Sequence, residues 1–344
     1  MSDHSPTIAD VARAAGISIS TVSRILNNKP DVAEATRQRV LQIIEELGYT
    51  PDARAQGLAA GKSRTIGMLY PIENLDLTNL ELEFFVGAAT AAGEADYFFN
   101  LITRPVTQNR LLNLYRSAQI DGVILMQINV QDWRVDLLRE RGYPFVMIGH
   151  CADNTGLSYI DLDFESAIIK AMEHLIELGH REIALIGHSP AAHEQGFGPA
   201  VRSLLGFRRA CETYGLRVPY RKVNLSNQGA YRATLELLDA HPGLTALVAV
   251  DGGTAMGTLR ALQQAGRRIP DDISVLAMTT EKVAQLVTPP LTHIDFPTET
   301  MGQWAAEMLI KMLRGEASEP EQVMLEARLV IRESTGPVRH PRRT

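Results

Sequence analysis

Two hydrophobic periods divide the chain. In the first 50 residues apolar positions recur at helical spacing. Ile8, Val11, Ala12 and Ala15 fall at i, i+3, i+4 and i+7, which predicts a short helix with one apolar face. Thr7 stands before it and Asp10 three residues on, a capping-box pattern, and Gly16 supplies the left-handed residue that ends it. A second helix begins at Ser18, with Val22, Ile25 and Leu26 directed inward and Ser20, Thr21, Ser23 and Arg24 outward. A third starts at Asp31-Val32-Ala33-Glu34, and its Val40, Ile43, Ile44 and Leu47 stripe closes a three-helix core before Gly48. The segment from Asp52 to Gly61 is Ala-rich and short, with Gly57 inside it. Such a helix is marginal in water and needs something to dock on.

From Thr65 the pattern changes to short apolar runs alternating with amphipathic helices. Residues 66–70, 122–126, 145–148, 183–186, 246–250 and 273–276 read as buried parallel strands, and 165–178, 200–214, 229–240 and 254–265 as helices. Runs buried on both faces and separated by helices predict a doubly wound parallel α/β fold. About 270 residues exceed one compact unit, so two lobes are expected, with a ligand site beyond the carboxyl ends of the strands.

Composition narrows the function. The chain has 344 residues, 45% hydrophobic and 22% charged, ordinary globular values. No apolar run approaches the ~20 residues of a membrane span. Residues 1–6 lack the charged and apolar regions of a signal peptide, so a cytoplasmic protein is expected. Cys151 and Cys211, both expected to be buried, are too few to staple the fold or hold a structural zinc. Net charge is −6, but it is unevenly spread. Residues 1–64 carry eight Lys/Arg against seven Asp/Glu, whereas the remaining 280 carry 26 against 33.

Two short helices joined by a tight Gly turn form a helix-turn-helix when the second presents small polar residues. Small side chains let the backbone enter a major groove, hydroxyls bond phosphates, and one Arg reads guanine through paired donors. A solvated αα-hairpin gives the same pattern. Catalytic signatures are missing: there is no Gly-x-Ser-x-Gly elbow, phosphate loop or His-Glu-x-x-His, and a proline follows Gly196-Phe197-Gly198. No enzyme, metal or cofactor is expected. Cys151 beside His150 is weak as a nucleophile–base pair.

Thr7-Ile8-Ala9-Asp10-Val11-Ala12, Ser20 to Asn27, and Tyr49-Thr50-Pro51 to Leu58 resemble the head and hinge of the lactose-repressor (LacI/GalR) family of transcription regulators. The resemblance continues through Glu173 to Gly187, Pro270 to Val275 and Thr288 to Thr292, and so covers nearly the whole chain. It implies a helix-turn-helix domain at 1–50, a hinge helix at 51–64, and a periplasmic-binding-protein-like core at 65–336. One lobe would span 65–162 and 294–322, the other 163–293 and 323–336, with 337–344 a disordered tail. That tail is basic and has no leucine heptads, so a homodimer is expected rather than a coiled-coil tetramer.

By resemblance, Ile19, Ser20 and Arg24 read bases, while Thr7, Ser18, Thr21, Ser23, Asn27 and Thr36 touch phosphate or position the helix. Leu58 wedges between base pairs of a palindromic operator and Ala55 lets two hinges approach. Asp52 departs from the asparagine usual in the hinge. The pocket departs further, with Asp251-Gly252 in place of an Asn-Asp pair, Ala277 to Thr280 in place of Gly-Phe-Asp-Asp, Ser203 in place of arginine, and Phe296 in place of glutamine. The polar candidates for an effector site are Glu81, Glu83, Asn129, His150, Asp161, Asp163, Arg202, Asp251 and Thr279, with Phe296 as an apolar wall. Fixed carboxylates and amides suit hydroxyl pairs, so the expected effector is a sugar, with a nucleoside or other metabolite as the alternative. Asp163 could equally be only a helix cap, His150 an ordinary strand-end residue, and Arg202 solvated.

Overall fold

The computed structural model describes residues 6–26, 31–49, 63–71, 79–224 and 226–338. The chain divides into a head running through Arg64 and a body from Thr65 onward. The head holds α1 (Ile8–Ala15), α2 (Ile19–Leu26) and α3 (Glu34–Leu47). Its core is Val11, Ala12, Ala15, Val22, Ile25 and Val40, against which Ile8, Leu26, Ile43, Ile44 and Tyr49 pack. Leu47, expected in this stripe, is exposed at the end of α3, where the stripe outruns the two shorter helices. Gly16 ends α1 at φ 65°, as its position demanded.

The body opens with β1 (Thr65–Leu69), α4 (Asn79–Glu94), β2 (Phe98–Ile102), α5 (Gln108–Arg116), β3 (Gly122–Leu125), α6 (Trp133–Arg141), β4 (Phe145–Ile148) and β5 (Tyr159–Leu162). The second lobe follows with α7 (Phe164–Glu177), β6 (Ile183–Gly187), α8 (Pro190–Glu194), α9 (Gly198–Tyr214), β7 (Tyr220–Lys222), α10 (Asn227–Ala240), β8 (Ala246–Ala249), α11 (Gly252–Gln264), β9 (Ser274–Thr279), α12 (Glu281–Gln285) and β10 (Thr292–Asp295). The chain then returns to the first lobe for α13 (Thr298–Arg314) and β11 (Gln322–Leu325), and ends in the second with β12 (Arg328–Val330).

Each lobe is built on a six-stranded sheet, ordered β11-β5-β4-β3-β1-β2 and β12-β10-β9-β8-β6-β7. All pairings are parallel except β10–β12, an antiparallel edge. Sheet order moves two lobe boundaries. β10 keeps Ile294 and Asp295 in the second lobe, and β11 keeps Val323 to Leu325 in the first, so the later crossovers lie at 296–297 and 326–327. Short apolar runs read alike for either sheet, so the sequence did not separate them. In the first lobe α4 and α13 lie backbone to backbone. A Cβ on Gly87 would meet the Glu299 carbonyl oxygen at 2.0 Å, and one on Gly302 would meet that of Phe84 at 2.1 Å. Pro337 and Val338 are placed rather than disordered, since the Val338 amide bonds the Leu178 carbonyl at 3.0 Å. Residues 339–344 and the hinge at 51–62 lie outside the described residues. Among the described residues no helix is long and apolar enough to cross a membrane.

Candidate functional site

In the head the polar side chains of α1 and α2 organise the turn before they offer anything to a ligand. Asp10 accepts from the Thr7 amide at 3.0 Å and the Thr7 hydroxyl at 2.7 Å, and also from Arg13. The Thr7 hydroxyl bond and then its amide bond hold the Asp10 carboxyl below its ordinary value. Ser18 caps α2, its Oγ taking the Thr21 amide at 3.2 Å and lying 2.7 Å from Ser20 Oγ and 2.8 Å from Thr21 Oγ1. These hydroxyls form a cluster at the positive end of a helix, a natural seat for a phosphate. Ile19, Ser20 and Arg24 are exposed on one face of α2, with Thr21, Ser23 and Thr36 half-buried. Arg24 stands 3.3 Å from Asp31 in a solvent-exposed ion pair.

Two basic residues of the head have structural work. Arg39 donates to the Ala15 carbonyl at 2.7 Å and Arg37 to the Ile25 carbonyl at 3.2 Å, so α3 satisfies the carbonyl ends of both shorter helices. Nothing in the local pattern marks them, because their partners lie 24 and 12 residues away. Asn27, Ala55 and Leu58 lie outside the described residues.

In the body, strand ends of both lobes converge. His150 follows β4 and its Nδ1 sits 2.8 Å from Asp161 Oδ2 on β5. Asp161 is buried and its other oxygen accepts the Leu162 amide at 2.8 Å. Arg202, on α9 of the second lobe, donates to the His150 carbonyl at 2.8 Å. Burial lowers the Arg202 pKa, opposed chiefly by the Asp161 charge. Arg202 is therefore half-buried in a lobe-bridging network, not solvated. Backbone bonds reinforce the bridge: Val130 N–H to Gly196 O at 2.7 Å and Gly198 N–H to Ile128 O at 2.9 Å, with Asn129 paired to Phe197.

The loop after β3 is held in an unusual shape. Gln127 is exposed at φ 53°, a left-handed conformation that costs a non-Gly residue about 1–2 kcal/mol. Arg134 Nη2 grips its carbonyl at 2.9 Å, and Arg134 in turn forks onto Asp132 at 2.9 and 2.6 Å. Burial pushes the Asp132 carboxyl up, but Arg134 and the amides of Asn129 and Arg134 outweigh it, so it stays ionised. Gln127 and this buried pair were not among the sequence candidates; the Asp132-x-Arg134 spacing at the start of a helix was the available signal.

Across the cleft Glu81 of α4 accepts from Tyr70 at 3.1 Å, and burial, then Glu81, raise the Tyr70 pKa. Asp251 caps α11, accepting the Thr254 amide at 2.6 Å. Burial raises its carboxyl and hydrogen bonds from Thr254 oppose this, while the charge of Glu81 on the other lobe adds to the rise. Thr279 is fully buried with no partner for Oγ1, and a Cβ on Gly252 would come within 2.8 Å of that oxygen.

Three candidates have other employment. Asp163 caps α7 through the Ser166 amide at 3.0 Å and hydroxyl at 2.6 Å. Glu83 takes the Thr298 hydroxyl at 2.6 Å and Lys282 at 3.6 Å, lining a surface groove with Leu82, Val86, Leu286 and Glu299. Phe296 fills a crossover, edge-on to Phe84 at 5.8 Å and Phe164 at 5.6 Å, and so ties the two lobe cores together. Cys151 is buried, and burial chiefly raises its thiol to about 11, which disfavours the nucleophilic thiolate at neutral pH. Cys211 is only half-buried, on the flank of α9. Among the described residues no group of three His, Cys, Asp or Glu side chains could hold a metal.

Comparison with known proteins places both parts. Residues 7–52 match the model of bacterial regulatory proteins of the lacI family, and residues 172–335 match a periplasmic binding protein-like domain. The HTH-type transcriptional regulator CelR of Thermobifida fusca is 32% identical, over 96% of this chain and 98% of that one. The solved CelR–cellobiose complex is 31% identical with a TM-score of 0.70, covering 96% of this chain and 99% of that chain. The lac repressor dimer bound to operator and the anti-inducer ONPF superposes at a TM-score of 0.83, with 25% identity over 97% of this chain and 100% of that chain. A helix-turn-helix head, a two-lobed body and similarity along the full length of such regulators together establish that the chain belongs to the lacI family of bacterial regulatory proteins and is a DNA-binding transcriptional regulator.

Proposed function

We propose that this regulator is a cytoplasmic homodimeric repressor of carbohydrate-utilisation genes, whose affinity for a palindromic operator is set by a neutral sugar bound between the lobes. One observation carries the reading: the lobes meet through a polar network at their strand ends. There, Glu81, Asp161 and Asp251 offer acceptors, and Arg202, the cation of the network, gives Nη2 to the His150 carbonyl while its buried Nη1 has no partner. Buried acceptors beside one spare guanidinium donor suit the paired hydroxyls of a sugar. The CelR–cellobiose complex supports the sugar class.

The mechanism is linkage. A ligand bridging the lobes favours one interlobe angle, and the first lobe carries the hinge that leads to the head. Coupling of about 1–3 kcal/mol changes operator affinity roughly 5–150-fold. The hinge wedge Leu58 and its neighbour Ala55 keep the roles given by resemblance. Leu82, Val86 and Leu286 are 48%, 54% and 76% exposed around a groove of about 270 Å³. A second copy of the chain is the proposed occupant. Anisotropy with labelled palindromic and scrambled duplexes, with and without neutral sugars, tests the whole reading. Palindrome preference with a sugar response supports it. A response confined to nucleosides or other metabolites keeps the regulator and replaces the effector.

A further inference from the structure

We propose that His188 is an effector-reading residue, its Nδ1 hydrogen-bonded to a neutral, hydroxyl-bearing ligand lying across the carboxyl ends of β6, β8 and β9. The proposal deepens the sugar reading above and rests on it.

The register makes the case. Ile186 of β6 pairs with Ala249 of β8, which pairs with Ala277 of β9. Two residues further along each strand stand His188, Asp251 and Thr279, in one row and, by the alternation of a strand, on one side of the sheet. Ile186, Ala249 and Ala277 share the same core cluster, as that alternation requires. At the end of the row the apolar residues give way to an imidazole, a carboxylate and a hydroxyl. The fold does not use all of their polar atoms. His188 is 5% exposed and its Nδ1 has no partner, and Thr279 is fully buried with its Oγ1 also unpartnered. Buried polar atoms are nearly always paired, so two orphans in one row at a strand-end cleft mark groups kept for something that arrives.

The row also says what arrives. A neutral imidazole and a hydroxyl each donate or accept, and Asp251 between them accepts; a run of vicinal hydroxyls matches that pattern. The Glu81 charge, which helps raise the Asp251 pKa, disfavours a further negative charge beside the row. His188 is also placed to sense lobe closure. Its ring lies edge-on to Phe197 at 5.5 Å, and Phe197 pairs with Asn129 of the first lobe. Its neighbour His193 is already engaged with the Tyr220 hydroxyl at 2.6 Å. Burial depresses the His188 pKa to about 3, so the ring is neutral at physiological pH.

The test uses the intact chain, His188→Leu and His188→Asn, whose amide can replace the imidazole nitrogen. Thermal shift is read with no ligand, with a neutral mixture (glucose, ribose, maltose, cellobiose) and with an anionic mixture (glucose 6-phosphate, glucuronate). The neutral mixture should stabilise the wild type. Calorimetry with the active sugar should then show His188→Leu about tenfold weaker and His188→Asn recovering most of the loss. Equal affinity in His188→Leu, or no recovery in His188→Asn, overturns the proposal, and so does stabilisation by the anionic mixture alone. If neither mixture moves the wild type, the sugar reading fails, and the ligand-free arm decides for His188 itself. A midpoint equal or higher in His188→Leu supports a nitrogen kept for a ligand; a lower midpoint shows that the fold uses it and overturns the assignment.

Discussion

Replacing Gly198 by Ala tests whether Arg202 latches the lobes. A Cβ at 198 would lie 2.3 Å from Arg202 Nη1 and 3.1 Å from the Ile128 carbonyl oxygen. The nearer atom ends a flexible side chain, so the guanidinium moves aside and the fold survives. Moving it breaks the 2.8 Å bond to the His150 carbonyl. A hydrogen bond from a charged donor contributes about 1.5–3 kcal/mol, which corresponds to a roughly 12–140-fold shift of the interlobe equilibrium. Hydrogen exchange reads this without a ligand. The amides of Val130 and Gly198 bond across the lobes and should exchange faster by about that factor. Val123, bonded to Pro144 inside the first lobe, should not change. Arg202→Ala should produce the same acceleration, and the double variant no more than either single one. Unchanged protection at Val130 and Gly198 in Gly198→Ala would refute the latch.

The head gives a second expectation: Asp31→Asn releases Arg24 and removes a charge that phosphates would face, so operator binding measured at low salt should tighten a few-fold, no more than an exposed pair allows; weaker binding would show that Asp31 supports the DNA-bound form. Burial holds His174, His180, His188 and His293 below the ordinary histidine value. The unfolded chain therefore binds more protons below about pH 6.5, so stability is complete above that pH and falls on acidification. His188→Asn should flatten the fall by up to about 1.4 kcal/mol per pH unit in calorimetric scans, and an unaltered slope would count against a neutral His188. Leu58→Ala should reduce operator affinity far more than affinity for random duplex, and equal losses would remove its wedge role. Val86→Glu should convert a dimer to a monomer in sedimentation, whereas an unchanged mass would place the pairing face elsewhere.

The parts of this molecule that were legible beforehand are those encoded by local periodicity. The runs at 66–70, 122–126, 145–148 and 246–250 are strands within a residue of where the apolar pattern put them, because a strand covered on both faces has no polar position to blur it. The two short head helices are bounded by the Thr7 and Ser18 side chains and the left-handed backbone of Gly16, capping chemistry that acts within four residues. Illegible features depend on partners far along the chain. Arg37 and Arg39 read as surface charge until α3 is seen lying against the ends of α1 and α2. Arg202 reads as a pocket residue or a solvated one until the His150 carbonyl, 52 residues away, is seen to hold it. Phe296 reads as a pocket wall; that its ring neighbours Phe84 and Phe164 come from different lobes shows only at the crossover. His188 sits one residue beyond β6 and resembles any loop histidine; only the register across three strands aligns it with Asp251 and Thr279.

In the proposed regulator one small neutral ligand between the lobes controls how tightly the head holds its operator. The direct measurement is the affinity of the intact chain for a palindromic duplex, selected from a randomised pool, at fixed salt and with each neutral sugar in turn. At least one sugar should change that affinity roughly 5–150-fold, while affinity for scrambled duplex stays put. Operator affinity indifferent to every sugar that stabilises the protein would contradict it, because the cleft and the head would then be uncoupled.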